Sequence, residues 1–156
     1  MKRVLLLAFM YSAGMLDAYG QSKLLKNFDQ LMFALRTGSE VRAVIYYSRC
    51  KLVVDSVEAK APDMIGGLSF DTFEYFGPNT AGNLKAYVET SQSVLISDPK
   101  HGFVDNYIRI RIYEDAEVEI DVRFLNVATR QVIMRETFYG RISSGDDGNP
   151  VCLYEQ

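Results

Sequence analysis

The chain has 156 residues, of which 48% are hydrophobic, 12% aromatic and 24% charged, with a net charge of −3, one histidine, two cysteines and no tryptophan. That length supports one sizeable core and argues for a single domain. The mild acidity, with no run of five like charges, argues against nucleic acid as a partner and against a charged tail.

The first segment, MKRVLLLAFMYSAGMLDAYG, has the composition of an export leader. Lys2 and Arg3 precede thirteen uncharged residues, Val4 to Leu16, and the small residues Ala18 and Gly20 stand at the spacing of a cleavage site before Gln21. The apolar run falls short of the roughly 20 residues that cross a bilayer. Residues 1–20 are therefore expected to be a signal peptide and residues 21–156 a single secreted domain, extracellular or periplasmic. Loss of Lys2, Arg3 and Asp17 would take the net charge to −4. No later stretch is long and apolar enough for a helical membrane span.

Residues 22–37, SKLLKNFDQLMFALRT, place Leu24, Leu25, Phe28, Leu31, Met32 and Leu35 on one stripe of an amphipathic helix. Ser22 is the expected N-cap, and Gly38 stands just past the C-terminus. From Glu40 the period changes to two. Val41, Ala43, Ile45 and Tyr47 alternate with Arg42, Val44 and Tyr46, and "CKLVVDSVEA" continues in the same manner. In "GGLSFDTFEYFG" Leu68, Phe70, Thr72, Glu74 and Phe76 alternate with Ser69, Asp71, Phe73 and Tyr75, and both faces carry aromatic residues, so one face is expected to look onto a cavity or to lie under the helix. "NLKAYVETSQSVLISDP" suggests two short strands about a polar turn at Thr90–Gln92.

The strongest alternation follows. Ile108, Ile110 and Ile112 interleave with Arg109 and Arg111, and Val118, Ile120, Val122 and Phe124 interleave with Glu119, Asp121 and Arg123. "EDAE" joins them as a hairpin whose arginine and acidic sides meet on the solvent face. We read that charge pattern as control of register. "RQVIMRETFYGRI", the loop "SSGDDGNP" and "VCLYE" complete the chain. The fold class is thus mainly β (α+β): an N-terminal amphipathic helix followed by about eight antiparallel strands in a closed or half-open barrel, with a two-sheet sandwich as the alternative.

An oxidising compartment preserves disulfides, and two cysteines permit one intramolecular pairing, so a Cys50–Cys152 bridge is expected. Catalysis finds little purchase. His101 is alone in a turn, no serine sits in a Gly-x-Ser-x-Gly elbow, and no Cys-x-x-Cys is present. An acid/base hydrolase would need two carboxylates converging in a cleft, with Asp71, Glu74, Glu89 and Glu136 as candidates. "GDDGNP" resembles a calcium loop in composition only. No cofactor and no metal is expected. Binding remains, through the aromatic group Tyr46, Tyr47, Phe70, Phe73, Tyr75 and Phe76, which suits a small apolar or amphipathic ligand inside a barrel. The alternative is a surface that meets an extracellular protein.

The strand ending in a cysteine, "AVIYYSRCKLV", the segment "GGLSFDTFEYF", the hairpin "NYIRIRIYEDAEVEIDVRFLN" and the final cysteine in "VCLYEQ" resemble the VirK family of small exported proteins. The resemblance spans nearly all of residues 21–156. It implies export and the same Cys50–Cys152 pair, and carries over no catalytic residue. Exported barrels of lipocalin type are the other comparison, but the chain has no Trp for their usual Gly-x-Trp.

Overall fold

A computed structural model describes residues 22–156. The expected leader, residues 1–20, lies outside the described residues. Eleven strands and one α-helix follow in the order β1 (Lys23–Leu25), α1 (Phe28–Thr37), β2 (Val41–Tyr46), β3 (Lys51–Val54), β4 (Val57–Ala59), β5 (Ile65–Ser69), β6 (Glu74–Phe76), β7 (Tyr87–Asp98), β8 (Gly102–Tyr113), β9 (Glu117–Asn126), β10 (Val132–Arg141) and β11 (Val151–Glu155). They form two antiparallel sheets. The smaller runs β1-β11-β2-β5 and the larger β4-β3-β10-β9-β8-β7-β6.

The barrel expectation is corrected. Each sheet keeps two free edges, and the architecture is that of the two-sheet alternative. The physical reason lies at Tyr47–Arg49. A single 3-10 turn there ends β2 in the small sheet, and the chain re-emerges as β3 in the large one. The aromatic segment 68–76 makes a second crossing. Leu68 and Ser69 end β5, in the small sheet, and Glu74–Phe76 form β6, in the large one, so the alternating run is divided between two strands.

The helix is also revised. Lys23–Leu25 is extended and pairs with Glu155–Leu153 of β11, which satisfies backbone groups that a helix would otherwise bond internally. The cap is Asn27, not Ser22: its side chain accepts the Gln30 N–H at 3.0 Å. Gly38, at φ 81°, closes α1 in the left-handed region. Phe28, Leu31, Met32, Ala34 and Leu35 are buried.

The inner faces of both sheets and the buried stripe of α1 share one core. The small sheet contributes Ala43, Ile45, Leu68, Val151 and Leu153; the large one contributes Val88, Ile110, Ile112, Ile120 and Phe138. The polar turn expected at Thr90–Gln92 does not form. β7 is one continuous strand, because all twelve of its residues find partners in β8. Gly66 and Gly67 mark a close approach. A Cβ at Gly67 would lie 2.4 Å from the Ala43 carbonyl oxygen, and one at Gly66 would lie 2.9 Å from the Tyr47 ring.

Candidate functional site

The two cysteines are free, which corrects the expected disulfide. Alternation along β11 turns Cys152 away from the buried Val151 and Leu153, on the same side as Val44 of β2. Cys50 sits just after the 3-10 turn and belongs to the core. Its thiol points to the Tyr46 carbonyl at 3.8 Å, and burial pushes its pKa up to about 11. Cys50 thus faces the core and Cys152 faces away from it.

The six aromatic candidates do not gather round one cavity. Tyr47 and Phe70 are core residues. Tyr47 meets Phe138 edge-on at 4.8 Å, and its hydroxyl pKa is pushed up to about 12, by burial first and by Cys50 and Glu136 next. Tyr46 is on the outer face of the small sheet, under the Arg49 guanidinium at 4.6 Å. Phe73 is exposed. Tyr75 lines an open groove of about 560 Å³ beside α1, with Met32, Phe33 and Arg36. Phe76 stacks on Tyr87 at 4.8 Å. Between the two sheets, side chains from both pack into one core.

The carboxylate candidates do not converge either. Glu136 faces inward beside Val122, whereas Glu89 is on the outer face, gripped by Arg111 Nε at 3.0 Å and Nη2 at 2.8 Å. Glu74 stands opposite Glu89 at the sheet edge, and Asp71 is exposed on the loop before it. His101 packs edge-on to Phe124 and shares a hydrogen bond of 2.8 Å with Asp98. Burial works to raise the Asp98 pKa, but the bonds from His101 and Lys100 outweigh it and hold the carboxyl low. In the "GDDGNP" loop, Asp147 accepts bonds from Ser143, Ser144 and Asn149, which keep its pKa well below the usual carboxylate range. Among the described residues no group of three or more His, Cys, Asp or Glu is placed to hold a metal.

What the structure does assemble lies on the outer face of the large sheet. β7, β8, β9 and β10 bring Tyr87, Arg111, Tyr113, Glu119 and Tyr139 to one end of it, and the loop before β7 adds Leu84 and Lys85 as a wall. The result is an open groove of about 750 Å³. Arg111 lies over the Tyr87 ring at 4.3 Å. Burial opposes its charge, but bonds with Tyr113 and Glu89 outweigh that and hold it firmly protonated. At the rim, Leu84 is 88% exposed with nothing packed on it. Lys85 bonds Glu117 at 2.9 Å and also pairs with Asp115. Beyond the groove, Asp121 is held by Arg109, Arg123 and Arg135.

Sequence reasoning missed this groove because its members come from five separate segments, none of them aromatic-rich. The available signal was parity: Tyr87, Arg111, Tyr113, Glu119 and Tyr139 all hold odd-numbered positions opposite the isoleucine and valine face. No helix of the described residues is long and apolar enough to cross a membrane.

Comparison with known proteins adds the lineage. Residues 24–130 match the family described as VirK protein. The crystal structure of a VirK family protein from Legionella pneumophila shares the fold, with a TM-score of 0.64 over 83% of this chain and 97% of that one, at 14% sequence identity. No curated protein sequence matches this chain.

Proposed function

The chain belongs to the VirK family, and from that premise we propose that it is an exported, non-catalytic recognition protein of effector or matrix type. It acts through the outer face of its large sheet. The observation that carries this reading is the groove lined by Arg111, Tyr113 and Tyr139 over the buried Tyr87, beside the exposed Leu84. Tyr and Arg are the side chains enriched at interface centres. They offer large contact area together with a polar tip. Arg111 is already oriented by Glu89 and Tyr87, so little ordering cost remains when a partner docks. The leader-like residues 1–20 support export.

The test is site-specific photo-crosslinking in the producing cells. A crosslinker at Leu84 or Tyr139 should give one defined protein adduct in the external fraction. A crosslinker at Val127, exposed in the turn at the other end of the sheet, should give none. Absence of an adduct at both groove positions, or the same adduct at all three, overturns the reading.

A second reading keeps the same groove for a small amphipathic molecule. Its volume, about 750 Å³, lies within the range of small-ligand pockets. Native mass spectrometry of the purified protein would then show a bound mass that Tyr139→Ala loses.

A further inference from the structure

β7 is twelve residues long, but β6 pairs only with its first three, Tyr87–Glu89. On that side the ladder stops. Thr90 is still covered, because its hydroxyl donates to the Thr72 carbonyl at 2.5 Å. From Ser91 to Ser97, among the described residues, no backbone hydrogen bond reaches β7 other than those from β8. Ser91–Leu95 are all exposed.

An open edge of this kind is normally blunted by charge, proline, a bulge or brevity. The other edges have these devices. β1 is three residues long and carries Lys23, and β4 is three residues long and carries Glu58. β5 has two glycines in five residues. The open part of β10 carries Arg135 and an irregularity between Val132 and Met134. Ser91–Ser97, SQSVLIS, has none of them: no charge, no proline, no glycine, and an unbroken register with β8.

The geometry points to a second copy of this chain as the occupant, its β7 running antiparallel to the first about a two-fold axis at Val94. In that register Ser93 stands opposite Leu95, Gln92 opposite Ile96 and Ser91 opposite Ser97 of the partner. Each pair has the same parity, so inner faces meet inner faces and outer meet outer. Asp98 falls opposite Thr90, and no like charges are apposed. The slot also has the right length. The incoming strand turns away at Pro99–His101, just after Asp98, and this is where β6 takes over at Glu89. Sliding two residues toward β6 would drive that turn into Glu74. The neutral edge lets two copies of an acidic chain meet where neither carries charge. The two large sheets then become one, and both outer grooves lie on its continuous surface.

Sedimentation equilibrium of the purified chain tests this across micromolar to hundred-micromolar concentrations. Wild type should be a dimer. Val94→Lys, at a position 46% exposed and therefore tolerant of the change, sets two lysines face to face and should weaken the dimer by about tenfold or more. Register is tested with two double variants that differ at one position. S91E/S97K places Glu against Lys twice across the axis and should retain the dimer. S91E/S97E places Glu against Glu and should abolish it. Circular dichroism checks that each variant is folded. A monomeric wild type, a dimer indifferent to Val94→Lys, or equal behaviour of the two double variants overturns the proposal.

Discussion

Asp121 is 0% exposed, and what covers it is Arg123, two residues along the same strand, whose guanidinium closes over the carboxylate from the outer face. Arg135, on the neighbouring strand, bonds the same group at 3.2 Å, and Arg109 approaches from the other side at 3.5 Å. One carboxylate thus organises three strands.

Replacing it should be costly. Asp121→Asn keeps the shape but removes the counter-charge, and is expected to lower stability by about 2 kcal/mol in urea unfolding. The pH dependence follows. Burial tends to raise the Asp121 pKa, but Arg123 and then Arg135 outweigh it, so the folded value is depressed. Its contribution is complete above the unfolded carboxylate value of about 3.9 and is lost as pH falls through the lower folded value. The variant should lose this acid limb of the stability profile. An unchanged limb would show that Asp121 is not its source.

Glu136 should behave in the opposite sense. Burial on the inner face raises its pKa. Folding favours the neutral form, so stability is greatest below the unfolded glutamate value of about 4.3 and declines as pH rises through the higher folded value. Glu136→Gln is neutral at every pH. It should raise the urea midpoint at pH 7 and match wild type near pH 4. A lower midpoint at pH 7 would mean that the ionised form is stabilised by a partner.

The thiols give a direct check on the fold. Intact mass should show no loss of two protons, and reductant should leave Tm unchanged. A thiol reagent should label Cys152 first and reach Cys50 only on unfolding, because Cys50 is buried with its pKa raised to about 11. Equal rates would place Cys50 at the surface.

Gly67→Ala should destabilise by about 1–3 kcal/mol, since the added methyl meets the Ala43 carbonyl and the β2–β5 pairing must open to admit it. A urea midpoint within error of wild type would show that the strands have slack there.

How much of this was legible from residues alone depends on what each signal encodes. The β8–β9 hairpin was, because strict alternation fixes faces and the facing charges fix register: Arg109 does stand opposite Asp121, and Arg111 opposite Glu119. That those charges would bury one carboxylate under three arginines was not, since Arg135 arrives from a strand with weak alternation of its own. The start of the helix was misread because Leu24 and Leu25 fit a helical stripe as well as an edge strand. Only the distant β11 decides between them. The disulfide argument failed for a related reason. Counting cysteines identifies a possible pair, but it is blind to which side of a sheet each sulfur takes. The split of residues 68–76 between two sheets leaves no trace in alternation, which reads the same in either sheet.

The small sheet joins segments from opposite ends of the described chain. β11, latest in sequence among the described strands, does not sit at its margin but between β1 and β2, the two earliest. On one flank Val41, Ala43 and Ile45 are paired by Glu155, Leu153 and Val151, from the far end of the described chain. The middle of the small sheet is thus closed by the segment most distant in sequence, so trimming the chain back before Val151 would strip β1 and β2 of a shared neighbour.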